Sequence, residues 1–122
     1  MQILREYYCD RSVFNYTVLP STKTSDAVVE PYNSVLALQY LINFSDVTIC
    51  LDNQALYALC NRNLMIRSPT YSDINHLIAV TMSGVTCSSR FTSQANTDMK
   101  KLSNNMVPFP RVHFMLTGIA PV

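Results

Sequence analysis

The alternation of apolar and polar residues divides this chain into short segments of distinct character. VFNYTVL, residues 13 to 19, is rich in β-branched and aromatic residues and stops at Pro20, which predicts a strand. The polar loop PSTKTSDA follows. From Pro31 to about Asn43, Val35, Leu38 and Ile42 recur at helical spacing with Leu41 beside them, which predicts an amphipathic helix. VTICL, residues 47 to 51, is apolar without alternation and suits a strand buried on both faces of a parallel sheet. Strand, helix and strand make one βαβ unit.

Asp52 and Asn53 close that strand and can cap a second helix, QALYALCNRN. A third helix starts at Thr70, because Thr70-Tyr71-Ser72-Asp73 reads as a capping box with Asp in place of Glu. Ile74, Leu77, Ile78, Thr81 and Val85 form its apolar stripe, and the pattern carries it to about Ser88. Gly84 inside it costs ~1 kcal/mol relative to Ala, so close packing against another element is expected there. After the polar loop SSRFTSQANT, DMKKLSNNM predicts a short helix before Pro108 and Pro110, and RVHFMLTGIA predicts a strand. There is no internal repeat and no low-complexity segment.

Composition changes this picture little. A chain of 122 residues with 48% hydrophobic and 14% charged content fits one small globular domain. A net charge of +1 provides no broad field for nucleic acid or an anionic membrane. The four cysteines show no metal-ligand spacing and read as reduced, half-buried thiols, with Cys50 and Cys60 inside apolar segments. Arg5 and Glu6 come too early for a signal peptide, and no apolar run approaches the ~20 residues that span a bilayer. The expected compartment is the cytoplasm, and the sequon patterns at Asn15 and Asn43 read as chance.

Three polar clusters fall at strand ends or helix starts, where parallel α/β sheets bind ligands: Asp26 with Glu30, Asp52 with Asn53, and Tyr71 with Asn75. Tyr71 and Asn75 lie one turn apart on one helix face. An aromatic can cover a base, an amide can pair with a purine edge, and a carboxylate can accept from ribose hydroxyls. The same residues also suit ordinary helix caps and a buried tyrosine, so the pattern leaves both readings open. His76 and His113 have no nucleophile paired with them and read as structural. A dinucleotide-dependent enzyme would need a GxGxxG turn, which this sequence does not contain.

VVEPYNS, LDNQALYALC, SPTYSDINHL, TMSGVT and NNMVPFPRVHF, in this order, resemble the tubulin family, closest to its β type and more distantly its γ type. The resemblance covers the whole chain. It implies an α/β fold, namely part of a Rossmann-like GTPase-domain sheet (βαβα) with a core helix and the start of an intermediate domain. The implied division is 1–70 for the nucleotide domain, 71–88 for the core helix and 89–122 for the intermediate domain. By the same resemblance, Asp26 and Glu30 match the loop near the ribose, Asn53 and Asn75 the amides that recognise guanine, and Tyr71 the ring stacked on the base. Asn96 and Asp98 match the loop that approaches a neighbouring subunit's nucleotide. Lys101 stands where the α type carries its hydrolytic glutamate, so this chain should not supply that acid. The implied ligand is GTP or GDP, with Mg²⁺ only in a full-length member. The implied partners are tubulin subunits, an α-type heterodimer partner and filament neighbours, in the cytoplasmic cytoskeleton.

A phosphate-binding loop needs several glycines, and this sequence has two, Gly84 and Gly118, neither in such a context. The tubulin-type GGGTGSG stretch is absent. The expectation is therefore half a nucleotide site in a truncated copy, without tight GTP binding or hydrolysis by this chain alone, and with low stability from uncovered sheet faces. Cys9, Ser88, Ser89, Thr92 and Ser93 depart from the family pattern, as in a diverged copy. An alternative role is a fragment that adheres to tubulin subunits through residues 93 to 111 without nucleotide.

Overall fold

A computed structural model describes residues 1–21, 28–92 and 98–120. Asp26 and Asn96 lie outside the described residues. Among the described residues the elements are, in order, α1 (Gln2–Tyr7), β1 (Phe14–Leu19), α2 (Glu30–Phe44), β2 (Val47–Asp52), α3 (Asn53–Arg62), α4 (Tyr71–Val85), α5 (Cys87–Arg90), α6 (Met99–Met106) and β3 (Phe114–Leu116).

The strands form one parallel sheet in the order β1-β2-β3. β2 is central, with Phe14 opposite Val47 on one side and Thr48 opposite Phe114 on the other. This position explains its unbroken apolar run, because both faces of Val47 through Leu51 are covered. The α/β class expected from the sequence is the one observed.

The core comprises Leu41, Val47, Ile49, Cys50 and Leu51 with Cys60, Ile74 and Leu77 from α3 and α4. The buried hydroxyls of Ser45, Thr48 and Thr81 are hydrogen-bonded, whereas the buried Tyr16 hydroxyl has no partner among the described residues. Ser45 donates to the Val47 carbonyl (3.0 Å), Thr48 donates to Ser45 (3.1 Å), and Thr81 donates to the Leu77 carbonyl (2.9 Å). At the N-terminal edge of the sheet, Asp46 takes two hydrogen bonds from Arg5 and one from the Val13 amide. That carboxylate joins α1, the entry to β1 and the entry to β2.

Several details depart from the sequence pattern. Val35 is 68% exposed, because the inward face of α2 runs through Ser34, Leu38, Leu41 and Ile42. The continuous helix α4 stops at Val85. There the Thr86 hydroxyl bonds back to the Met82 carbonyl (3.0 Å), and α5 follows as a separate turn. A Cβ at Gly84 would meet nothing within 4 Å, so the expected close packing is not there; the glycine borders an apolar cavity of about 290 Å³. The last strand pairs over only three residues, because the Phe109–Val112 turn occupies the backbone before it. Cys9 and Cys87 are exposed rather than half-buried, while Cys50 and Cys60 are buried, and all four are free thiols.

Large apolar side chains also stand exposed, including Tyr32, Leu36 and Tyr40 of α2, Phe109, and Leu116 of β3. Among the described residues, no helix is long and apolar enough to cross a membrane.

Candidate functional site

β1 and β2 end side by side, so the segments leaving them start from one edge of the sheet. Asp52, the last residue of β2, caps α3 by accepting from the Gln54 amide at 2.9 Å. Asn53 is then the first helical residue, and it is half-buried. Ser21, just after β1, donates to the Gln54 side-chain oxygen at 2.6 Å. This bond ties the exit of β1 to the first turn of α3.

Glu30 opens α2 with Pro31 behind it. The preceding Val29 supplies no side-chain cap, so the Glu30 charge at the positive end of the helix dipole is the local stabiliser. The carboxylate is half-buried.

Tyr71 opens α4. Its position is fixed by Asp73, whose carboxylate accepts from both the amide and the hydroxyl of Thr70, each at 2.8 Å. The Thr70 bonds hold the Asp73 carboxyl below its ordinary range. Tyr71 is 72% exposed, which removes the buried-tyrosine reading, and Asn75 is exposed one turn further on. A ring and an amide therefore face solvent together.

Tyr57, Ser21 and Gln54 join this edge only through the fold. Tyr57 is half-buried on α3, four residues after Asn53 and thus on the same face. Its phenol is pushed upward by desolvation, then by the neighbouring Tyr71. Tyr57 thus stands beside Tyr71, and Asn53 and Asn75 each lie one turn from these tyrosines along α3 and α4. The spacing of Asn53 and Tyr57 carried the signal, but the apolar helix pattern absorbed the tyrosine.

Asp98 and Lys101 occupy the first turn of α6. Asp98 caps that helix by accepting from the Lys101 amide at 2.8 Å, and both side chains are exposed. Among the described residues, no group of three His, Cys, Asp or Glu side chains is arranged to hold a metal ion.

A parallel three-stranded sheet with polar residues gathered at the carboxyl ends of its strands defines an α/β protein with a ligand-type edge. The chain belongs to the Tubulin/FtsZ family, whose GTPase-domain model matches residues 1–61. It is 53% identical over 119 residues to the "Tubulin beta chain" of Coprinopsis cinerea, covering 98% of this chain and 27% of that protein. It is 54% identical over 119 residues to the "Tubulin beta-6 chain" of Gallus gallus, with the same coverage. It is 52% identical over 122 residues to the "Tubulin beta-1 chain" of Homo sapiens, covering 100% of this chain and 27% of that one. The chain thus spans about a quarter of the length of the curated relatives it matches, and the resemblance to β-tubulin read from its motifs is borne out.

Proposed function

We propose that this chain forms the nucleoside-facing wall of a β-tubulin-type guanine-nucleotide site and acts as a structural constituent of the microtubule cytoskeleton in the cytoplasm. The observation that carries this reading is the exposed Tyr71 ring, with Asn75 one turn along and Tyr57 of the helix that starts at Asn53 beside it. In this reading Tyr71 stacks on the base, Asn53 and Asn75 pair with the guanine edge, and Asp26 and Glu30 accept from the ribose. Residues 1–70 belong to the nucleotide domain, 71–88 to the core helix region and 89–122 to the start of the intermediate domain.

The same reading assigns Asn96, Asp98 and Lys101 to the face turned toward a neighbouring tubulin subunit, with an α-type chain as heterodimer partner. Lys101 is a cation where hydrolysis across such a contact needs an acid, so this chain does not activate its neighbour's GTP. The glycine-poor sequence supplies no phosphate cradle, and the residues present hold the nucleoside portion of GTP or GDP. Affinity for guanosine should then be about millimolar, equivalent to roughly −4 kcal/mol.

Titration with guanosine and adenosine tests the proposal through tyrosine fluorescence, which is free of tryptophan background. Saturable quenching by guanosine alone, lost in Tyr71→Ala, is the expected result. Equal responses to the two nucleosides would reject it. Exposed Phe91, Met106 and Phe109, which lie in and around the 93 to 111 stretch, favour a second reading in which the chain adheres to tubulin subunits without nucleotide.

A further inference from the structure

His113 lies at the end of the sheet opposite the candidate site. It is 0% exposed on the segment entering β3, and its own carbonyl accepts from the Thr48 amide at 2.9 Å. Its ring bridges two backbone carbonyls: Nδ1 lies 2.8 Å from the Pro110 oxygen, and Nε2 lies 3.1 Å from the Leu41 oxygen. Both partners can only accept. A neutral imidazole carries one N–H, so either tautomer turns a lone pair onto a carbonyl oxygen in a place shielded from water. An imidazolium carries two N–H groups and satisfies both contacts.

The surroundings suit a cation. Leu41 lies in the last turn of α2, where the carbonyls form the negative end of the helix dipole. Its oxygen also accepts from the Ser45 amide at 3.2 Å, and two lone pairs accommodate two donors. The Phe114 ring stacks on the imidazole with centroids 4.9 Å apart, within the range at which an aromatic face attracts a cation. Asp46 is near enough for the His113 charge to act on it, and Arg5 stands behind that carboxylate. Arg111, two residues before His113, is exposed and lines the same cavity as Arg5 and Asp46.

We infer that His113 is held as an imidazolium, and that its second ring proton fastens the end of α2 to the Pro110 segment. Ile42, Asp46 and Pro110, next to the fastened groups, line a cavity of about 470 Å³. Loss of the proton turns one of the two contacts repulsive and loosens that wall, so this end of the fold is a proton-sensitive latch.

The 122-residue chain carrying His76→Gln has His113 as its only histidine, and His76 is exposed on α4. Long-range ¹H–¹⁵N correlation of that variant at about pH 7 is expected to show both ring nitrogens protonated, as the two carbonyl contacts require. One bare ring nitrogen at that pH, or the averaged pattern of a freely titrating imidazole, overturns the inference. As the pH is raised until one nitrogen is bared, the backbone signals of Ile42, Asp46 and Arg111 should shift in step. Signals that stay fixed through that change contradict the latch.

Discussion

Arg5 and Asp46 meet across 41 residues of sequence in a two-point pair, with hydrogen bonds of 2.7 and 2.9 Å. Both side chains are about two-thirds covered, so the pair is shielded more than a surface ion pair. Arg5→Ala should therefore lower stability by about 1.5–3 kcal/mol, the range for hydrogen bonds to charged groups. A denaturant midpoint shift at constant slope would confirm it.

The same pair sets an acid limit. Desolvation raises the Asp46 carboxyl, but the Arg5 hydrogen bond, the Val13 amide and the nearby positive charges together outweigh it and hold the group below its ordinary range. A depressed carboxyl contributes stability that is present above the unfolded value of about 3.9 and is lost as pH falls through the folded value. Stability should decline in this window, and Arg5→Ala should flatten the decline. An unchanged acid limb in the variant would refute the assignment.

Acid should also loosen the start of α4. Asp73 is depressed by the Thr70 amide and then by the Thr70 hydroxyl, so its grip on Thr70 is present above the ordinary Asp range and lost below the depressed value. Asp73→Asn should fray the first turn at neutral pH, read as faster amide exchange at Thr70. Tyr71 would lose its fixed position, and any guanosine response should weaken with it.

Ile74 and Cys60 test whether the α3–α4 contact is a packed core. Ile74 is 1% exposed and Cys60 is 0% exposed. Ile74→Ala should cost roughly 2–5 kcal/mol through lost burial and a residual cavity. Under native conditions a thiol reagent should modify Cys9 and Cys87 while sparing Cys50 and Cys60, with burial also pushing the Cys50 thiol upward. Labelling of all four at one rate would contradict the packing.

The regular elements were legible where one physical rule acted alone. The unbroken apolar run of β2 implied a strand covered on both faces, and the Thr70–Asp73 box marked the start of α4 to the residue. Errors arose where tertiary context decided. Helical spacing could not tell which of two apolar stripes of α2 turns inward, and Val35 fell on the outer one. The candidate site was half legible: Asn53, Tyr71 and Asn75 stood out as polar groups at helix starts, whereas Tyr57 looked like core because its partner is distant in sequence. His113 read as a plain structural histidine, since only the fold reveals two carbonyls against one ring.

In the proposed function, the first turns of α3 and α4 face a guanine base. Photolabelling the chain with an azido-guanine nucleotide and mapping the modified peptide addresses it directly. Label is expected between Asn53 and Asn75, displaced by guanosine and retained in excess adenosine. Label placed elsewhere, or displaced equally by both nucleosides, would contradict it.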